Sequence, residues 1–184
     1  ENLNRAGRLA EILHTMRAEG AQLVAIQQTG WKRTPNDPTL ASFRTEVKGV
    51  GWEVLRWDAD PEDPAAGVLI AIQADLLKRA RIQKTETVWP GRAGLCRLKG
   101  VDFDVVFVVA YAFARTAGEH HARCKSFASR MEEVCANTHR RSSLIFAGDW
   151  NAHLGRPDDA DEAIGACEAE REDFQGGLVR AWVR

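Results

Sequence analysis

The sequence predicts a layered α/β sandwich, and three observations carry that reading. Apolar runs of strand length recur along the 184 residues. Two other stretches repeat their apolar residues at helical spacing, and no internal repeat or low-complexity linker separates the elements. A chain of this length can bury one substantial core but is short for two, so residues 1–184 are expected to form a single domain.

The elements follow in order. Leu9, Ile12, Leu13 and Met16 fall at i, i+3, i+4 and i+7, one face of a helix, and Gly20 is placed to end it. "QLVAIQQ" (22–28) is a short apolar run suited to a buried strand. "TGWKRTPNDPTLASF" has two prolines and no period, so it reads as a loop. "GWEVLRW" (51–57) alternates as a strand, and "DADPEDPAAG" breaks the chain again. "GVLIAIQ" (67–73) and "ARIQKTETVW" (80–89) read as a second and third strand of one meander. "GLCRLKG" and "FDVVFVVAYAF" (103–113) read as a hairpin turning at Lys99 to Asp102. Beyond Thr116, Cys124, Phe127, Met131, Val134 and Cys135 share one helical stripe. "SLIFAGDW" is a further buried strand, followed by an irregular acidic stretch until "GGLVRAWVR".

Composition excludes some classes. No apolar run approaches the roughly 18 residues of a membrane span, and no signal peptide opens the sequence. Four cysteines without a CxxC pair, and five scattered histidines, make no zinc pattern. The expected setting is reducing and intracellular. The net charge of −1 is unevenly spread. Eight of the 26 acids but one of the 25 bases lie in residues 157–174, which leaves the rest at +6. Such a body suits a polyanion, and equally an ordinary mixed surface.

The residues that could do chemistry stand at strand ends. Alternate side chains share a face, so Asp149 and Asn151 project together where "SLIFAGD" stops. A carboxylate there can serve as general base or bind a hard cation, and an amide can donate to phosphate. The same pair also suits an Asx turn that caps its own backbone. Tyr111 ends another apolar strand, with Arg115 four residues on. Its hydroxyl suits a phosphate and its ring suits the core. Gln27 and Gln28 end the first strand, and Trp31 could stack on a base or cover the sheet edge. The adjacent His120 and His121 read as surface groups, since neighbours on a helix diverge. Serine-hydrolase, P-loop and zinc-protease signatures do not occur.

Taken in order, "LVAIQQTGW", "GVLIAI", "FVVAYAFART" and "IFAGDWNAHLG" resemble the endonuclease/exonuclease/phosphatase superfamily, most nearly the apurinic-like endonuclease domains of LINE-type retrotransposons. The GDWNAHLG block is the specific part, with Trp150 in place of a Phe, and the resemblance runs from about Leu3 onward. It implies a four-layer α/β sandwich, two mainly antiparallel or mixed sheets flanked by helices, here without its first strand and last strands. It implies a magnesium-dependent phosphodiesterase that nicks DNA, nuclear if it serves a retrotransposon. Asp149 would orient or deprotonate the attacking water, Asn151 would bind the scissile phosphate, and Tyr111 would bond that phosphate. Trp31, Arg115 and His153 would contact substrate, His153 chiefly as a structural hydrogen-bonder.

The departures are as informative. The family's metal-binding Glu is Gln28 here, a neutral and weak ligand, so magnesium binding is expected to be considerably weaker than the resemblance implies. The strand that supplies an Asn at the family's start is absent, with Asn2 or Asn4 as its remnant at most, and no Asp-His pair occurs. Phe113 replaces a proline. Three readings follow: a DNA endonuclease domain within a longer chain, a degenerate homologue serving as a structural or binding subunit of a larger assembly, or a phosphatase acting on small phosphoesters or inositol lipids.

Overall fold

Strand β3 (Val68–Gln73) is apolar on both faces, and the first sheet is built around it. The computed structural model describes residues 3, 7–31, 47, 49–59, 63–114, 120–153 and 173–183. They divide into two compact units: residues 1–111 with 138–148, and residues 112–137 with 149–184.

In the first unit, β3 lies between β1 (Leu23–Gln27) and β2 (Trp52–Trp57), antiparallel to both. Val68, Ile70 and Ile72 point into one apolar cluster, and Leu69 and Ala71 into another. That is the period of 2 expected of a strand buried on both sides. The second sheet runs β4 (Ala80–Trp89), β5 (Ala93–Gly100), β6 (Asp104–Tyr111) and β7 (Ser143–Asp149) in that order. The pairings of β4 with β5 and of β5 with β6 are antiparallel. Cys96, Leu98, Phe107, Val109 and Tyr111 meet the β3 cluster, so the two sheets share one core.

Helix α1 (Arg8–Ala18) covers the other face of the first sheet through Leu9 and Leu13. It ends as the sequence predicts. Gly20 takes φ 78°, its N–H donates to the Arg17 carbonyl, and the Ala21 N–H donates to that of Met16. These are the two bonds of a Schellman cap. The result is an α/β sandwich, as the sequence predicts.

One expectation is corrected. Residues 67–73 and 80–89 are not neighbours in a meander, because β4 belongs to the second sheet. A single helical turn, α2 (Ala74–Leu77), intervenes, and its Leu76 is buried in the core shared by the sheets. Burying that leucine turns the chain from one sheet to the other.

The second unit holds α3 (His120–Asn137) and α4 (Phe174–Val183). Cys124, Phe127, Met131 and Val134 are the buried stripe of α3, while Cys135 is half-buried. Phe113 meets Phe127 edge-on, with centroids 5.9 Å apart. Asp173 caps α4, its Oδ1 accepting the Gly176 N–H at 2.7 Å. Cys96, Cys124 and Cys135 are free thiols, and burial pushes the Cys96 thiol up to about 12. No helix among the described residues is long and apolar enough to cross a membrane.

Candidate functional site

Gln28 and Asn151 are the described non-glycine residues with positive φ, 55° and 46°. Both stand just past the end of a strand that carries a motif. A left-handed backbone at a residue other than glycine costs free energy and persists only where the surroundings hold it. Each position therefore has an identifiable set of restraints.

In the first unit, the loop after β1 is fastened to the start of β3. The Thr29 N–H donates to the Gly67 carbonyl at 3.1 Å, and the Gly30 N–H to that of Ala66 at 2.9 Å. Thr29 is fully buried. Gly67 has φ 104°, and a Cβ there would lie 2.3 Å from Thr29 Oγ1, so the glycine of "GVLIAI" is required by both backbone and space. This places the Gln28 side chain at the end of β6, where its Nε2 donates to Tyr111 Oη at 2.5 Å.

Tyr111 is held from other directions as well. Its N–H donates to the Arg92 carbonyl at 2.7 Å, and its own carbonyl accepts from Arg92 Nη1 at 3.1 Å. The Arg92 guanidinium lies 5.1 Å from the centre of the Tyr111 ring and pairs with Asp63. Thr29 and Gly67 fall within the quoted blocks without a role being assigned to them there, and Arg92 carries no motif signal. Trp31 is half-buried against the first-sheet core, and the Arg56 guanidinium sits 4.4 Å from its ring centre. Arg56 also pairs with Asp58 at 2.5 Å.

In the second unit, Asp149 and Asn151 form a closed turn. Asp149 Oδ1 accepts the Asn151 N–H at 2.9 Å, the Asx-turn arrangement. Asn151 Nδ2 donates to the Ala112 carbonyl at 2.8 Å, and the Ala112 N–H donates to that of Asp149 at 2.8 Å. The capping role and the phosphate-facing role weighed for this pair are compatible, since Asp149 Oδ2 and the second Asn151 amide hydrogen remain. Gln175 Nε2 donates to the Phe113 carbonyl at 2.8 Å and lies 3.4 Å from that of Trp150. It fastens the two segments that carry the turn.

His153 is exposed, and its N–H donates to Asp173 Oδ2 at 3.1 Å. Its Nδ1 lies 3.3 Å from the same oxygen. His121 is exposed and stacks on Phe174 at 4.1 Å. Arg115, Asn2, Asn4 and the acidic residues from Asp158 to Glu172 lie outside the described residues.

No protein-family model matches this sequence, and no curated protein matches it. Solved structures do. The AP endonuclease LMAP from Leishmania major is 16% identical with a TM-score of 0.63, covering 85% of this chain and 54% of that one. TDP2 from D. rerio, complexed with a single-strand DNA product, is 12% identical with a TM-score of 0.55, covering 80% and 55%. The human Nocturnin catalytic domain is 13% identical with a TM-score of 0.54, covering 78% and 57%. This chain has the endonuclease/exonuclease/phosphatase fold. It spans about half the length of the solved structures it matches.

A divalent cation, which the resemblance implies, does not fit the donors that the described residues bring together at Gln28. Magnesium takes hard oxygen ligands and favours carboxylates. Gln28 offers a neutral amide with its nitrogen turned to Tyr111. Among the described residues, no three His, Cys, Asp or Glu side chains are grouped to hold a metal.

Proposed function

We propose that this chain is a nuclease-like domain of the retrotransposon-endonuclease type that binds DNA through its phosphates and, as it stands, does not hydrolyse them. The observation that carries this reading is the Gln28 amide bonded to Tyr111 at the position where the resemblance calls for a metal-binding carboxylate. Phosphodiester hydrolysis at neutral pH needs an activated water and neutralisation of the phosphate charge. Asp149 can orient a water, but Gln28 contributes no negative charge to attract a cation. The parts that bind phosphate without a metal are retained: the Tyr111 hydroxyl, the Asn151 amide and a surplus of bases outside residues 157–174. The retrotransposon assignment draws on the GDWNAHLG block, and the DNA partner on the nuclease fold.

A second reading, a structural subunit of a larger assembly, draws on Ile145. It is 43% exposed on β7, which ends the strand order of the second sheet.

Fluorescence anisotropy with a labelled DNA duplex in EDTA tests the binding. Expected is an affinity that falls steadily as salt rises, and that weakens roughly tenfold in Tyr111→Phe, the worth of one hydrogen bond to a charged oxygen. Absence of binding at low salt contradicts the proposal.

A further inference from the structure

Exchanging a carboxylate for an amide at position 28 does more than remove a charge. With Nε2 facing Tyr111, it also reverses the direction of a hydrogen bond. An ionised glutamate is an acceptor only, so it would draw the Tyr111 hydroxyl hydrogen toward itself. The Gln28 Nε2 donates to Tyr111 Oη instead, which occupies a lone pair and leaves the hydroxyl hydrogen for another acceptor.

The ring cannot shift to compensate. Tyr111 is 6% exposed within the core between the sheets. Arg92 holds its carbonyl and lies over its ring, and Arg92 is itself buried and paired with Asp63. What remains free is the torsion of the hydroxyl, and Gln28 sets it. Gln28 is held in turn by its left-handed backbone and by the bonds of Thr29 and Gly30 to Gly67 and Ala66.

We propose that Gln28 is a positioning residue whose side-chain amide orients the Tyr111 phenol without a divalent cation at this pair, so that the phenol hydrogen is presented to an anionic oxygen. The ligand class, a phosphodiester oxygen, rests on the function proposed above. The role of Gln28 and the absence of a cation requirement do not.

Tyr111 is the one tyrosine in the sequence, so protein labelled with carbon-13 in its tyrosine ring reports this side chain alone. The Cζ signal is compared in the wild type, Gln28→Met and Gln28→Glu, with thermal unfolding as the check that each variant is folded. Expected is a displaced signal in both variants, larger in Gln28→Glu, where the phenol becomes the donor. An unchanged signal in both overturns the positioning role. In the wild type, millimolar MnCl2 is expected to leave the Tyr111 signals unbroadened. Selective broadening that MgCl2 reverses overturns the claim that no cation is held.

Dimethyl phosphate, a phosphodiester without bases or sugars, is expected to shift the signal equally in EDTA and in MgCl2. A shift that requires MgCl2 overturns the proposal. No shift in either buffer removes the phosphate ligand, and with it the DNA-binding reading, while the Cζ comparison still decides what Gln28 does.

Discussion

Asp104 shows how a single residue registers its surroundings. Arg97 grips it with two bonds, Nε to Oδ1 at 2.8 Å and Nη2 to Oδ2 at 2.6 Å. That fork holds the carboxyl at about 2, against an ordinary value of 3.8. Because the folded value is the lower one, the pair's contribution is complete above 3.8 and is lost as pH falls toward 2. Asp104→Asn is expected to lower the urea midpoint at neutral pH and to leave little difference from wild type near pH 2. A difference that stays constant down to that pH contradicts the assignment. Gly148, the first residue of "GDWNAH", has a steric reason to be glycine. A Cβ there would lie 2.1 Å from the Ala110 carbonyl oxygen of β6. Gly148→Ala is expected to cost about 1–3 kcal/mol in denaturant unfolding, since the obstacle is backbone. Asp149, Asn151, Tyr111 and Gln28 are legible in the sequence because polar groups at the ends of apolar strands stand out. Arg92 is not, and the roles of Thr29 and Gly67 inside their blocks are not, because these depend on partners far away in the chain.

Elements show the same division between local and distant information. Most strand positions are legible, since strands buried on one or both faces leave short apolar runs bounded by Gly, Pro and Asp. The four-residue α2 is too short to show a helical period, so nothing in the sequence marks that β3 and β4 belong to different sheets. Strand β3 is the element on which the first sheet depends. Ile70 is fully buried and pairs with Ala25 on one side and Leu55 on the other. Ile70→Ala is expected to lose about 2–5 kcal/mol of stability, the usual range for emptying such a site. A loss well under 1 kcal/mol would mean that the two-faced core of β3 is misplaced.

For the whole molecule, the sandwich is legible from block order, while the proposed loss of hydrolysis draws chiefly on one side chain, Gln28. The fold supplies strand ends where Asp149 and Asn151 are fixed by backbone bonds and where Tyr111 is fixed by Arg92 and Gln28. Fold alone does not confer hydrolysis, which depends on the residues at those ends. In the proposed reading the chain keeps the fold of these solved structures and carries an amide, Gln28, where the resemblance calls for a metal-binding carboxylate. Supercoiled plasmid incubated with the wild-type protein and MgCl2, beside an Asp149→Ala control, tests it most directly. Expected is no nicking by the wild type above that of the control; nicking that depends on magnesium and disappears in Asp149→Ala would overturn the proposed loss of hydrolysis.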